Sequence, residues 1–231
     1  MSVILILAAD RLELQGLCDI KFLKGSPFGV EGNLSGQQAR FVANGPGVKN
    51  ARAAVQAVCS KETPSAIVSV GYVGALDPAL EVGQIFLARR VKRIGEKVDY
   101  QGELPAFPNA EGLAQGTLLT IDLVAQTRQE KGMLRQSGAD AVDMEAYAVA
   151  GEAAKRGVPF YCVRVVSDHA NTDFPVDFNR ARRPDGSFVR WRILAQAGFS
   201  SSRWQRLLDL KRDGELASQR LADFLKTCTF P

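Results

Sequence analysis

AVDMEAYAVAGEAAKRGVPFYCVRVVSDHA, residues 141–170, decides how the chain is read. Ala141, Val142 and Asp143 end a short buried segment. Met144 then opens a stretch whose apolar positions 146, 149, 150, 153 and 154 fall on one face of a helix. Lys155, Arg156 and Gly157 supply a basic last turn and a C-terminal stop. The run VPFYCVRVV, 158–166, is apolar and β-favouring, and it leads into Ser167, Asp168 and His169. Segment, helix and strand in this order are the repeating unit of an α/β sheet. Two acids, Asp143 and Glu145, stand where the segment passes into the helix, and Arg164 stands inside the apolar strand. A guanidinium buried without a partner is costly, so Arg164 calls for a carboxylate at a strand end.

The alternation extends outward. Further β-favouring runs lie at 3–8, 66–70, 85–91 and 117–124. In GVKNARAAVQAVCSK the apolar positions 51, 54, 55, 58 and 59 mark a second helix face. Loops are expected at 24–37 and 99–116, rich in Gly, Pro, Ser and Asn. The implied architecture is a single α/β domain over 1–231, its sheet mainly parallel at the centre, with a basic helical extension at about 180–231.

Composition limits the classes. Hydrophobic residues at 46% and charged residues at 23% fit a soluble globular protein. The four cysteines, Cys18, Cys59, Cys162 and Cys228, form no CxxC pair, which argues against a zinc site or a disulfide framework and for a reducing cytoplasm. The start, MSVILILAADRLEL, lacks a basic n-region and a long apolar run, so it reads as a first strand, neither a signal peptide nor a membrane span. The net charge of +4 is uneven: residues 180–231 carry 11 Lys+Arg against 5 Asp+Glu, or +6, and the remainder about −2. No nucleic-acid motif accompanies the basic tail.

Open α/β sheets bind ligands at the carboxyl ends of their strands. Asp10 and Glu13 follow the first strand, where a helix cap and a first-turn acid explain them as well as a pocket does. Gly71 and Gly74 follow the third run, where turn geometry competes with close approach of a ligand. Glu145 at a helix N-terminus answers the helix dipole or faces a ligand. His169, the only histidine, reads as exposed.

GPGVKNARAA, VSVGYVGALDPALEVGQIFLARRV, AVDMEAYAVAGEAAKRGVPFYCVRVVSDHA and AADRLEL together resemble the nucleoside phosphorylase and nucleosidase superfamily over about residues 3–179. Within it the likeness is to 5'-methylthioadenosine/S-adenosylhomocysteine nucleosidases and to hopanoid-associated nucleoside phosphorylases. The resemblance implies a three-layer α/β/α sandwich with a mixed, twisted central sheet. It implies that Met144 and Glu145 hold the ribose, that Asp168 protonates the purine at N7, that Glu13 positions or activates the attacking water, and that Arg164 lies beside that nucleophile. Gly71, Tyr72 and Ser167 border the substrate. No cofactor and no metal is implied. An oxocarbenium-like sugar gains from nearby anions and a departing purine gains from a proton donor, so the chemistry fits these residue types. Asp168 is expected to be kept protonated by burial or by a neighbouring carboxylate.

Phosphate-using members commonly carry Arg two residues before the first Gly of the glycine segment and Ser just after it, where this chain has Ser69 and Tyr72. That departure favours water over phosphate unless Arg11 or Arg164 compensates. The expected activity is therefore hydrolysis of the N-glycosidic bond of an adenosyl-type purine nucleoside, releasing free base. The alternatives are a phosphorylase, including one acting on adenosylhopane, and a non-catalytic nucleoside-binding domain. Expected partners are the nucleoside, phosphate in the phosphorylase case, and a second copy in a homodimer, with the 99–108 loop completing a neighbour's pocket. The tail interleaves Phe188, Val189, Trp191, Leu194, Phe199, Trp204, Leu207 and Leu208 with Arg190, Arg192, Arg203 and Arg206. It reads either as helices packed on the sheet with arginines in solvent or as a peripheral membrane contact.

Overall fold

The computed structural model describes residues 3–17, 29–183, 186–198 and 200–231. Cys18, residues 24–28 of the expected first loop, and Phe199 lie outside them. Among the described residues nine strands form one mixed sheet. β1 (Ile4–Ala8) is flanked in parallel by β3 (Gln37–Ala43) and β4 (Ala66–Ala75), and β2 (Val30–Leu34) runs antiparallel at the β3 edge. β5 (Ile85–Arg93) carries β6 (Tyr100–Gln101) at its edge and pairs in parallel with β7 (Ala114–Thr120), which pairs in parallel with β8 (Ala141–Asp143). β9 (Phe160–Asp168) lies parallel to β4 and antiparallel to β5, and β8 meets the end of β4, so the strands β4, β8, β7, β5 and β9 close a ring.

Helices cover both faces, as the three-layer reading requires. α1 (Val48–Cys59) and α3 (Ala146–Arg156) pack on one face through Ala54, Val55, Val149 and Ala150. The C-terminal half of α6 (Ser201–Leu225) covers the other face, where Ala217, Leu221 and Leu225 join Ile6, Val68 and Val163. α2 (Arg128–Arg135), α4 (Phe178–Ala181) and α5 (Arg190–Ala197) are the remaining α-helices among the described residues. Among the described residues no helix is long and apolar enough to cross a membrane.

Several expected boundaries move for identifiable reasons. The expected loop at 24–37 contains β2 and the start of β3, joined at Ser35 (φ 52°) and Gly36 (φ 85°), a two-residue hairpin turn. The strand VEGNL is an exposed edge and so lacks an apolar alternation. The run at 66–70 continues to Ala75 because β9 pairs with it along its length. The run at 117–124 is displaced to 114–120, and the expected 99–116 loop therefore contains β6 and the start of β7. AADRLEL forms only one 3-10 turn, Arg11–Leu14. α3 starts at Ala146 rather than Met144, with Glu145 as its N-cap and Gly157 left-handed (φ 63°) at its end. Its buried side is wider than the expected stripe, every residue from 146 to 153 being buried while Ala154 is exposed, because the helix lies between the sheet and α1.

Candidate active site

Five local arrangements bring the expected residues to the carboxyl ends of β1, β4, β8 and β9. After β1, Asp10 and Glu13 form a reciprocal capping box around the 3-10 turn. The capping explanation holds, and Glu13 is in addition buried, at 6% exposure. Its Oε2 accepts from the backbone N–H of Ala9 at 2.7 Å and of Asp10 at 2.9 Å, and its Oε1 from Tyr72 N–H at 3.2 Å. A carboxylate has roughly four lone-pair sites, so these three bonds leave about one for another donor. Burial pushes the Glu13 carboxyl up, against the N–H bonds and the Arg164 guanidinium that favour its ionised form.

Gly71 is required beside it. Its φ is 147°, and a Cβ there would stand 2.6 Å from Glu13 Oε1. Gly71→Ala is expected to destabilise the fold by about 1–3 kcal/mol through backbone strain and displacement of Glu13, read as a lowered Tm in thermal unfolding. Tyr72 contributes its backbone N–H to Glu13, while its hydroxyl bonds Ser218 of α6. Ser218 in turn donates to Leu12 O at 3.0 Å, tying α6 to the 3-10 turn. The phenol of Tyr72 is thus directed onto α6.

Asp143 answers the requirement set by Arg164. Arg164 is 1% exposed, and its Nη2 donates to Asp143 Oδ2 at 2.8 Å and to Ser69 Oγ at 2.9 Å. Asp143 also accepts from Thr120 Oγ1 at 2.6 Å and from Ala146 N–H at 2.8 Å. Its oxygens are thus occupied by a guanidinium, a hydroxyl and a helix N-terminus, which makes it an anchor for the β8–α3 junction. Glu145, two residues on, is differently placed. Its Oε1 accepts from Gly47 N–H at 2.7 Å, across from the start of α1, and its Oε2 has only a long contact of 3.3 Å to Met144 N–H. Oε2 is therefore the less engaged of the two oxygens. Burial first, then the charges of Asp143 and Glu13, push this carboxyl up to about 8. Met144 is half-buried beside it.

At the end of β9 the ladder slips by one residue, so that Val73 pairs with Val166 but Gly74 pairs with Asp168. Ser167 is the extra residue of this bulge, a device common next to active sites because it re-aims a side chain. Asp168 then packs on Gly74, where a Cβ would lie 3.2 Å from Oδ2. Its Oδ1 accepts from Ser167 Oγ at 2.6 Å. Its Oδ2 forms an ion pair with Lys131 of α2. The neighbour of Asp168 is thus an ammonium and not the carboxylate that the sequence reading offered as one way to keep it protonated. His169 is exposed, as expected.

Lys131, Thr120 and the Gly47 N–H carry no site signal in the sequence, and Asp143 is marked there only as an acid at the segment–helix junction. Thr127-x-x-Glu130 is a capping box that marks the start of α2, the helix that carries Lys131. Arg164 and Asp143 are 21 residues apart in sequence, and only the adjacency of β8 and β9 to the end of β4 makes them partners.

Comparisons with known proteins place the family and the fold. A family model described as Phosphorylase superfamily matches residues 3–187. The chain is 25% identical over 201 residues to a 5'-methylthioadenosine/S-adenosylhomocysteine nucleosidase of Shewanella oneidensis, covering 76% of this chain and 82% of the relative. Among solved structures it is similar in fold to the Helicobacter pylori nucleosidase of the same name, solved with butyl-thio-DADMe-Immucillin-A, at a TM-score of 0.71 and 16% identity over 98% of this chain and 97% of that one. A futalosine hydrolase mutant from Helicobacter pylori matches at the same TM-score, 0.71, and 16% identity, over 98% of each chain. With the family model spanning most of its length and the sheet, helices and strand-end carboxylates in place, the chain belongs to the phosphorylase superfamily.

Proposed function

We propose that the protein hydrolyses the N-glycosidic bond of an adenosyl-type purine nucleoside, releasing free base. The observation that carries the reading is the pairing of two carboxylates with two glycines of one strand: Glu13 against Gly71 and Asp168 against Gly74. Three residues of strand span about 10 Å, so the two acids meet β4 at different points of its carboxyl-terminal half; the reading assigns one to the nucleophile and the other to the leaving group. Glu13 takes the proton of an attacking water at its remaining lone pair. Glu145 accepts from a ribose hydroxyl and favours positive charge on the sugar. Asp168 gives its proton to N7 as the bond to the base breaks, with the bonding electron pair leaving on the purine. The commitment of Arg164 Nη2 to Asp143 and Ser69 supports water over phosphate, since a bidentate phosphate grip needs that edge of the guanidinium. The relatives named as nucleosidases support the same reading.

The test is release of free base from a panel of purine nucleosides differing at the 5' position. Base release from 5'-substituted adenosines supports the proposal, and binding without release points to a nucleoside-binding domain instead.

The raised carboxyl of Glu145 gives a pH dependence. A carboxyl held up to about 8 is neutral below that pH and becomes an anion as pH rises through it. Since the anion is the form that favours a cationic sugar, kcat/KM is expected to rise with pH toward about 8. In Glu145→Gln that rise should disappear and the overall rate fall. Ribosides should also lose more than 2'-deoxyribosides; an unchanged ratio between them would count against a contact to the 2'-hydroxyl.

Cytoplasmic placement and a homodimer belong to the same proposal, as does a peripheral contact of the tail. Trp191 at 66% exposure and Leu208 at 58% stand among the exposed Arg192, Arg203 and Arg206, a mixture that suits an anionic lipid surface. Sedimentation with phosphatidylglycerol vesicles, but not with phosphatidylcholine vesicles, is the expected result.

A further inference from the structure

Lys131 is 1% exposed, a rare condition for a lysine. The contacts of its ammonium gather at the end of β9 and in the segment that follows it. It pairs with Asp168 Oδ2, donates to His169 O at 2.6 Å, and stands 5.4 Å from the centroid of the Phe174 ring. The backbone that carries it is fixed as well. Thr127 and Glu130 cap the start of α2 reciprocally, Lys131 N–H donates to Thr127 O at 3.0 Å, and Gln126 N–H bonds Glu130 Oε2 at 2.7 Å. Burying an ammonium is unfavourable unless it is paired and hydrogen-bonded, and here the pairing is with a site carboxyl.

We infer that Lys131 is the positioning residue of the base-protonating acid, holding Asp168 Oδ2 in place and pairing the carboxylate that remains once the proton has moved to N7. The inference rests on the proposed role of Asp168. In the step concerned, the Asp168 carboxylate, ion-paired with Lys131 at rest, first takes up a proton from solvent; its O–H bond then breaks as an N7–H bond forms, and the glycosidic bond breaks with its electron pair leaving on the base. The negative charge left on Asp168 develops beside the ammonium in a buried setting, where such a pairing stabilises more than it would in water. Ser167 holds the other oxygen, so the carboxyl group is fixed at both ends. Lys131 therefore acts on leaving-group protonation, with no part in water attack or in ribose binding.

A nucleoside methylated at N7 separates these steps, because its base is already cationic and departs without a proton. The experiment measures kcat and KM for an adenosyl nucleoside and its N7-methylated counterpart with wild type, Lys131→Met, Lys131→Gln, Lys131→Arg and Asp168→Asn. Both neutral Lys131 variants are expected to lose on the order of tenfold or more in kcat on the unmethylated substrate, with KM little changed and the methylated substrate largely spared. Lys131→Arg, which keeps the charge, is expected to recover part of the loss. The ratio of the two rates within one sample is independent of the fraction folded, so partial unfolding does not mimic the effect. If Met does not yield folded protein, Gln and Arg provide the same ratio. Equal loss on both substrates, or no loss on either, overturns the inference. If Asp168→Asn spares the methylated substrate while the Lys131 variants do not, only the role of Lys131 fails. If Asp168→Asn also leaves the ratio unchanged, the base-side role of Asp168 fails and the inference with it.

Discussion

Asp168→Asn is expected to bind nucleoside nearly as wild type does and to lose about 10²-fold or more in kcat. The amide can still meet the purine through a hydrogen bond, but it has no acidic proton to give. The structure adds a second source of loss. Lys131, buried at 1% exposure, would face a neutral amide where it now faces a carboxylate, and an ammonium stripped of its counter-charge is destabilising. Turnover should therefore fall further than Tm does. Single-turnover kinetics alongside equilibrium binding distinguishes the two effects. A variant that keeps wild-type turnover on an unactivated purine nucleoside would remove Asp168 from the mechanism.

Glu13→Gln is expected to lower turnover by a similar factor, about 10²-fold or more, because the amide cannot accept the proton of water. This substitution is not neutral in hydrogen bonding. Glu13 is an acceptor for three backbone N–H groups, from Ala9, Asp10 and Tyr72. A glutamine must turn its NH2 toward at least one of these donors, leaving a buried N–H unsatisfied at a cost of about 1–3 kcal/mol. Lowered thermal stability and lowered kcat should thus appear together, with the kcat deficit persisting at temperatures well below unfolding. Full activity in Glu13→Gln would show that the attacking water is activated elsewhere.

What could be read in the sequence divides along physical lines. The periodicity of α1 and α3 and the apolar runs of β1, β4, β5 and β9 were legible because each buries a face of its own. β2 was not, because VEGNL is an exposed edge strand whose pairing depends on a Ser35–Gly36 turn. Arg164 announced its need for a carboxylate, since a buried guanidinium cannot stand alone. That the carboxylate is Asp143, whose acceptors are then committed, depends on strand order rather than on spacing. The roles of Gly71 and Gly74 were equally hidden, because a glycine required by a neighbouring side chain looks in sequence like a glycine required by a turn. The bulge at Ser167, which sets Asp168 against Gly74, is a property of two paired strands and has no one-strand signature. Lys131 shows the same limit: its capping box was present in the sequence, but the partner of its ammonium lies 37 residues away.

The central claim is that water is the nucleophile. An ionised Glu13 at that position would repel a phosphate dianion, and the Nη2 of Arg164 is already bonded to Asp143 and Ser69. The direct measurement is product analysis of nucleoside cleavage by the wild-type protein in phosphate-free buffer and in phosphate buffer. The account predicts free base and free sugar at equal rates in both. Strict dependence on phosphate, with sugar 1-phosphate as the product, would contradict it.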